Sequence, residues 1–400
     1  MYLSLLHRNR DFRLLYFATL ISLGGDWFLT VALLDLVLEL TGSATLVSLI
    51  LLCQTLPIFL VTPVAGHAVD RVDRRKVMVV VDLIRVGACL LPLLARTPES
   101  LPWAFAGVVM ISIGSAYFEP ASHAALPNIV KADDLAAANV LMGSTWGTML
   151  AVGAGLGGLV TMRFGRAASF VMDAASFLVS ALLLLMVRAQ FSEGGRAAVA
   201  TPPILDSVRE TFCYAREHRR VLALLVSKGG YGLGAGVIAM LGVFGREVFQ
   251  AGALGIGILF AMRGVGALIG PFLARAFWRD DDALYRSISL SVLLFGLGYI
   301  GLAFSQSLLT GCVALFIAHI GGGAQWQTST YGLQREVPDW IRGRIFSVDY
   351  GLITLTMAIS GVAAGLLSDR FGPVIATVST AGVCLAWGLF WGIWTWRLWR

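Results

Sequence analysis

Charge is what this chain of 400 residues has least of: Asp, Glu, Lys and Arg together make 14% of it, where soluble domains carry about 25%. Hydrophobic residues make 57%, and the mean hydropathy is +0.79. A water-soluble fold of this length is excluded by that balance. Cysteine is also sparse. Cys53, Cys89, Cys213, Cys312 and Cys384 are scattered with no C-x-x-C spacing, which excludes a zinc knuckle, a dithiol redox pair and a disulfide framework. The five histidines (His7, His67, His123, His218 and His319) do not cluster, so metal-spaced ligands and a Ser/His dyad are absent. An intramembrane enzyme would need one of these or paired carboxylates. No G-x-x-x-x-G-K-[ST] run occurs, so nothing points to ATP as a direct energy source. GGYGLGAG at 229–236 follows no strand and is not read as a dinucleotide loop. No cofactor and no metal are implied.

What remains is long apolar runs. About 18 or more residues with few charges mark a membrane-spanning helix. Twelve such runs occur, roughly 14–38, 45–66, 77–95, 102–122, 140–162, 168–187, 221–244, 254–274, 287–304, 309–331, 346–367 and 374–396. The chain therefore reads as an all-α polytopic membrane protein, with the lipid bilayer as its first partner. The N-terminal MYLSLLHRNRDFR is basic, but the run after it is too long for a signal-peptide core and is read as a retained first span. With the N-terminus in the cytoplasm, only Arg96, Arg163, Arg166, Arg246 and Arg370 fall outside, and Arg85, Lys228 and Arg263 fall within spans. The other Lys and Arg residues, most of the 30, stay inside, the bias that sets orientation. Both termini are expected to be cytoplasmic. The sequence pI near 9.2 follows from this topology and needs no nucleic acid.

The chain also matches itself at a shift of 207 or 208 residues: LVTMRFG (159–165) against LLSDRFG (366–372), LPNIV (126–130) against LQREV (333–337), Pro63 against Pro271, and Arg71 against Arg279. Two six-helix halves follow, roughly 1–190 and 220–400. A polar linker, 191–219, joins them, and its DSVRETFCYAREHRR segment can form an interfacial helix.

GHAVDRVDRRK at 66–76 lies between spans 2 and 3 and mixes acids with bases. A topological anchor needs only bases. Twelve spans, duplicated halves and a G-x-x-x-D-R-x-x-R-R loop resemble the major facilitator superfamily, with Gly66, Asp70, Arg71, Arg74 and Arg75 in the loop signature. Asp73 stands where many members carry glycine. NRDFRLLYFATLISLGGDWF (9–28), FEPASHAALPNIV (118–130) and the Asp82/Arg85 pair are similar to the bacterial branch of enterobactin exporters and macrolide-efflux proteins. The resemblance implies a secondary transporter of the bacterial inner membrane, working by alternating access. It implies that the 2–3 loop is a gating latch, with Arg74 bridging to an acid such as Glu119. Drug antiporters often carry G-x-x-x-G-P-x-x-G-G in span 5. Here AVGAGLGGLV keeps Gly153, Gly157 and Gly158 but has Ala154 in the proline position, which weakens antiport and suits close helix packing.

Ionisable residues within spans default to function. Asp26 in span 1, Lys228 in span 7 and Arg263 in span 8 lie deepest. The resemblance implies that spans 1 and 7 line a central cavity, so Asp26 is expected to face Lys228. Asp82 and Arg85, three apart, read as a local pair on one face near the cytoplasmic surface. Asp35, Asp173 and Asp349 read as structural or water-exposed. His319 and Gln325 in span 10 are further cavity candidates. The expected function is proton-coupled export of a small amphipathic molecule such as a drug or siderophore, by a monomer. The alternatives are uniport or symport of an organic anion or lipid-like molecule without proton antiport, and a membrane sensor that keeps the fold and moves no substrate.

Overall fold

A computed structural model describes residues 2–191, 204–277 and 281–398. Among the described residues every regular element is helical. Twelve helices are long and apolar enough to cross a membrane. They are span 1 (Arg10–Thr41), span 2 (Ala44–Thr62), span 3 (Arg74–Leu94), span 4 (Pro98–Ile129), span 5 (Ala137–Phe164), span 6 (Arg166–Leu185), span 7 (Arg219–Val248), span 8 (Gly252–Arg275), span 9 (Tyr285–Ala303), span 10 (Leu308–Glu336), span 11 (Trp340–Phe371) and span 12 (Pro373–Thr395). All twelve coincide with the apolar runs. Several extend beyond them, because a helix continues into polar sequence until a cap ends it. Span 1 shows both kinds of end. The Asn9 side chain accepts from the Phe12 N–H, and Gly42 closes the helix at φ +61° with its N–H on the Leu38 carbonyl.

The chain packs as two compact units. Unit 1 comprises Met1–Gly42, Ile50–Val199 and Gly252–Ala261; unit 2 comprises Ser43–Leu49, Ala200–Ala251 and Met262–Arg400. Within unit 1, Leu5, Phe12, Leu15, Met78, Phe118 and Leu126 share an apolar core. Asp11 holds the far end of span 6 to this core by accepting from the Arg188 and Ala189 amides at 3.1 and 3.0 Å. Within unit 2, Val221, Leu224, Ile288, Leu333, Ile345 and Trp391 form the core. Large apolar side chains are also exposed at the outside of the bundle, Phe164, Phe272, Leu309 and Ile393 among them. In lipid that exposure is solvation, and close packing of small residues holds helices together instead.

Span 5 illustrates the point. Its helix runs unbroken from Leu135 to Phe164. A Cβ on Gly153 would come 3.2 Å from the Gly24 carbonyl, and one on Gly157 would come 2.9 Å from Phe28 Cα. Both glycines therefore let span 5 lie against the backbone of span 1. Gly158 does the same against the start of span 8, 3.0 Å from Gly257 Cα.

The internal repeat is visible as backbone geometry. Gly165 ends span 5 at φ +81°, ψ 167°, and Gly372 ends span 11 at φ +88°, ψ 161°. Each sends its N–H to a carbonyl four residues back, Thr161 or Ser368. That region is open almost only to glycine. Gly165→Ala and Gly372→Ala should each cost about 1–3 kcal/mol, read as a lower melting temperature of the purified protein, while alanine at Gly153 acts by clash rather than strain.

Span 7 departs from the sequence reading, which treats 221–244 as one regular helix. The α-helix stops at Ala235, passes through a 3-10 turn at Gly236–Ala239 and a short helix at Met240–Val243, and ends in a π-type turn at Phe244–Val248. Glycine-rich sequence lowers the cost of such breaks, and neighbouring helices take up the freed groups. The Gly236 amide, for one, donates to Ser360 Oγ at 3.2 Å. The segment 206–220 contributes a real helix, Ile204–Glu217.

Candidate functional site

The side chains of Gly66, Asp70 and Arg71 lie outside the described residues. Asp73 caps the N-terminus of span 3: its Oδ1 accepts from the Arg75 and Lys76 amides at 2.9 and 3.2 Å. An acid there also meets the positive end of the helix dipole, which explains one of the two acids in the loop. Asp73→Ala should lose about 1 kcal/mol, measured by thermal unfolding. Arg74 donates to the carbonyls of Ala124 and Phe191 at 2.7 and 3.1 Å. Arg75 donates to the Ala189 carbonyl at 2.8 Å and lies over the Phe191 ring. The expected Arg74–Glu119 bridge is not among these contacts. Glu119 is exposed and lies within electrostatic reach of Arg85 and His123.

Unit 1 gathers its charges around Arg85. The guanidinium Nη1 is 3.3 Å from Asp82 Oδ1, and the side chains are 3% and 0% exposed. Arg85 is sandwiched by Phe118 and Phe177, whose ring centres are 5.2 and 5.0 Å away. Gly114 makes room for it, since a Cβ there would come 2.6 Å from Arg85 Nε. That Nε is buried and makes no hydrogen bond among the described residues. The local pair expected from the i, i+3 spacing is therefore present, and it is buried. Span 6 brings Asp173, also 0% exposed. Its carboxylate accepts from the Cys89 thiol at 3.1 Å and from Ser176 Oγ at 3.2 Å. Gly25 makes that approach possible, because a Cβ on it would overlap both Asp173 and Ser176. Asp26, half-buried on span 1, lies within electrostatic reach of Arg85, Asp82, Glu119 and Asp173. Asp173 is thus part of a buried charge group rather than a water-exposed acid. Asp35 is held elsewhere, 2.6 Å from Arg166 Nε, and the same guanidinium pairs with Glu39.

In unit 2 the ammonium of Lys228 donates to Asp349 Oδ2 at 2.5 Å and to Thr330 Oγ1 at 2.9 Å, and it sits 4.8 Å from the Trp326 ring centre. Lys228 and Asp349 are each 3% exposed at the side chain. Within unit 2 the acidic partner of Lys228 is therefore Asp349, while the charged groups that act on Asp26 within unit 1 are Arg85, Asp82, Glu119 and Asp173. Asp349 is a buried counter-ion rather than a water-exposed residue. His319 is 3% exposed and shares a 2.9 Å hydrogen bond between Nε2 and the Tyr299 hydroxyl. Phe295 packs edge-on to its ring. Gln325 is fully buried. Arg263 is half-buried within electrostatic reach of Tyr231 and Tyr299. A cleft of about 700 Å³ between spans 9 and 10 is lined by Leu297, Phe304, Leu309, Val313 and Ile317. Its apolar wall suits lipid, and it lies apart from these charges. Among the described residues no His, Cys, Asp and Glu group could hold a metal.

Twelve apolar helices with ion pairs buried inside their spans define a multi-pass membrane protein. Comparison with known proteins agrees. Macrolide efflux protein A of Streptococcus pyogenes is 25% identical over 359 residues, 88% of each chain. Multidrug efflux pump Tap of Mycolicibacterium fortuitum is 25% identical over 372 residues, 90% of this chain and 89% of its own. A crystal structure of a mutant peptide transporter POT superposes with a TM-score of 0.81 at 10% identity, covering 97% of this chain and 95% of its own; it shares the fold. The family described as "Transmembrane secretion effector" matches residues 5–396, and the chain belongs to that family of the major facilitator superfamily. It is a transporter of the efflux type.

Proposed function

We propose that this protein exports a small amphipathic molecule by alternating access, in exchange for protons, with Asp26 as the proton-carrying group. The observation that carries the reading is the charge group of unit 1. Asp26, Asp82, Asp173 and Glu119 surround the single guanidinium of Arg85. Ionising every acid around one base in a low dielectric is costly. Such a group has room for a proton, or for a cationic substrate that takes its place. Asp26 and Glu119 are the less buried members, which makes them our candidates for proton entry, with Arg85 as the counter-charge that either acid can borrow. The similarity to macrolide and multidrug efflux proteins supports a drug-like cargo. We place the protein in the inner membrane as a monomer with cytoplasmic termini. Its halves are 1–190 and 220–400, joined by the linker 191–219, and the 2–3 loop is the inner latch.

The second reading is movement of an organic anion or lipid-like molecule without proton antiport. It rests on Arg263, half-buried beside two tyrosines. Lys228 no longer supports it, because Asp349 neutralises the ammonium. Purified protein in liposomes with an internal pH dye separates the two readings. Cationic drugs should move protons across the membrane; anionic siderophores and lysolipids should not. Movement of an anion with no proton flux overturns the first reading in favour of the second.

A further inference from the structure

The helix Ile204–Glu217 does work that transport does not account for. Its exposed described side chains are Arg209, Glu210, Phe212, Cys213, Arg216 and Glu217; Arg209, Phe212, Cys213 and Arg216, spaced i, i+3, i+4 and i+7, form one stripe, with the two glutamates along its edge. The opposite face is occupied within unit 2. Thr211 and Ala215 are buried, and Tyr214 packs edge-on to Trp340 at 5.8 Å; at the edge of the stripe the exposed Glu210 pairs with Arg344. The outward stripe therefore has no protein to cover it among the described residues. Its composition is unusual for a face turned to water. Phe212 is 67% exposed and Trp340 beside the helix is 63% exposed. Arg209 and Arg216 flank the phenylalanine, and neither has an ion-pair partner among the described residues.

We propose that this stripe lies on the bilayer and binds a leaflet containing anionic phospholipid. Three observations select that occupant. A single residue, His218, separates the helix from Arg219, where span 7 begins, so chain connectivity holds the helix at the membrane boundary. An apolar ring between two cations fits the interface, where the ring reaches the acyl boundary and the guanidinium groups reach phosphates. A half-exposed tryptophan marks the same depth. Arg219 is exposed as well, extending the cationic strip, and each such arginine strengthens attraction to an anionic surface about fivefold. The helix becomes a surface anchor at the start of span 7, and lipid charge sets how firmly it holds.

The protein carries its own reporter. Cys213 is exposed; Cys53 is half-buried, and Cys89, Cys312 and Cys384 are buried. In a Cys53→Ser background a nitroxide on Cys213 is read in nanodiscs of phosphatidylcholine alone, or of phosphatidylcholine mixed with phosphatidylglycerol. Collision with oxygen, which concentrates in lipid, is compared with collision with a water-soluble nickel chelate. In the anionic discs oxygen should dominate. In the neutral discs, or after Arg209→Gln with Arg216→Gln, the balance should shift at least several-fold toward nickel, and added salt should do the same. Nickel access that is high in both discs and unmoved by the arginine changes overturns the proposal. A label reached by neither relaxer also overturns it, since a second copy or a soluble partner then covers the stripe.

Discussion

Replacing Lys228 by methionine is expected to destabilise the transporter by about 3–5 kcal/mol, the usual cost of stranding one member of a buried ion pair. Asp349 would lose its counter-ion in a site 3% exposed, and its Oδ1 already has no hydrogen-bond partner among the described residues. The contact of the ammonium with the Trp326 ring would go as well. Pairing the change with Asp349→Leu removes the stranded acid. The double variant should recover most of the loss, because well-packed apolar groups often replace a buried ion pair without net cost. Thermal unfolding of the two single variants and the double variant forms the cycle. Losses that simply add would contradict the pairing.

Arg85→Met should be comparably damaging, and for a second reason. It strands Asp82, fully buried, and removes the guanidinium within electrostatic reach of Asp26, Asp173 and Glu119. Stability should fall by a similar 3–5 kcal/mol, and substrate transport should be lost in liposomes that still contain folded protein. Arg85→Lys is the informative control. It keeps the charge but not the flat guanidinium between Phe118 and Phe177, so it should restore only part of the stability and leave transport impaired. Full activity with lysine would mean that the aromatic sandwich has no role in positioning the cation.

Much of the architecture was legible in the sequence. Span existence follows from local hydropathy, and all twelve spans lie where the apolar runs predict. The R-F-G repeat announced two corners that share an unusual glycine conformation. Charge placement within spans was also legible, so Asp26, Lys228, Arg85 and Arg263 stood out by composition alone. Partnership was not. Lys228 and Asp349 are 121 residues apart, and no periodicity connects residues at that distance. The Cys89 thiol donates to Asp173, a polar role that depends on helix faces a single sequence does not register. The i, i+3 spacing of Asp82 and Arg85 was correct as a local pair, but burial by spans 4 and 6 is a tertiary property. Asp349 was visible as an acid inside an apolar run, by the same rule that selected Asp26, but its basic partner was not. The break in span 7 was also within reach, since four glycines fall within GGYGLGAG up to Gly234.

The most direct test of the account replaces Asp26 by asparagine and follows two quantities in the same liposomes: substrate-dependent proton movement, by an internal pH dye, and exchange of labelled substrate across the membrane with no gradient imposed. Asparagine keeps the shape and removes the titration. The account predicts that proton movement disappears while exchange persists, because alternating access continues without its coupled proton. Proton movement that survives in Asp26→Asn would contradict it and would place the coupling elsewhere in the charge group.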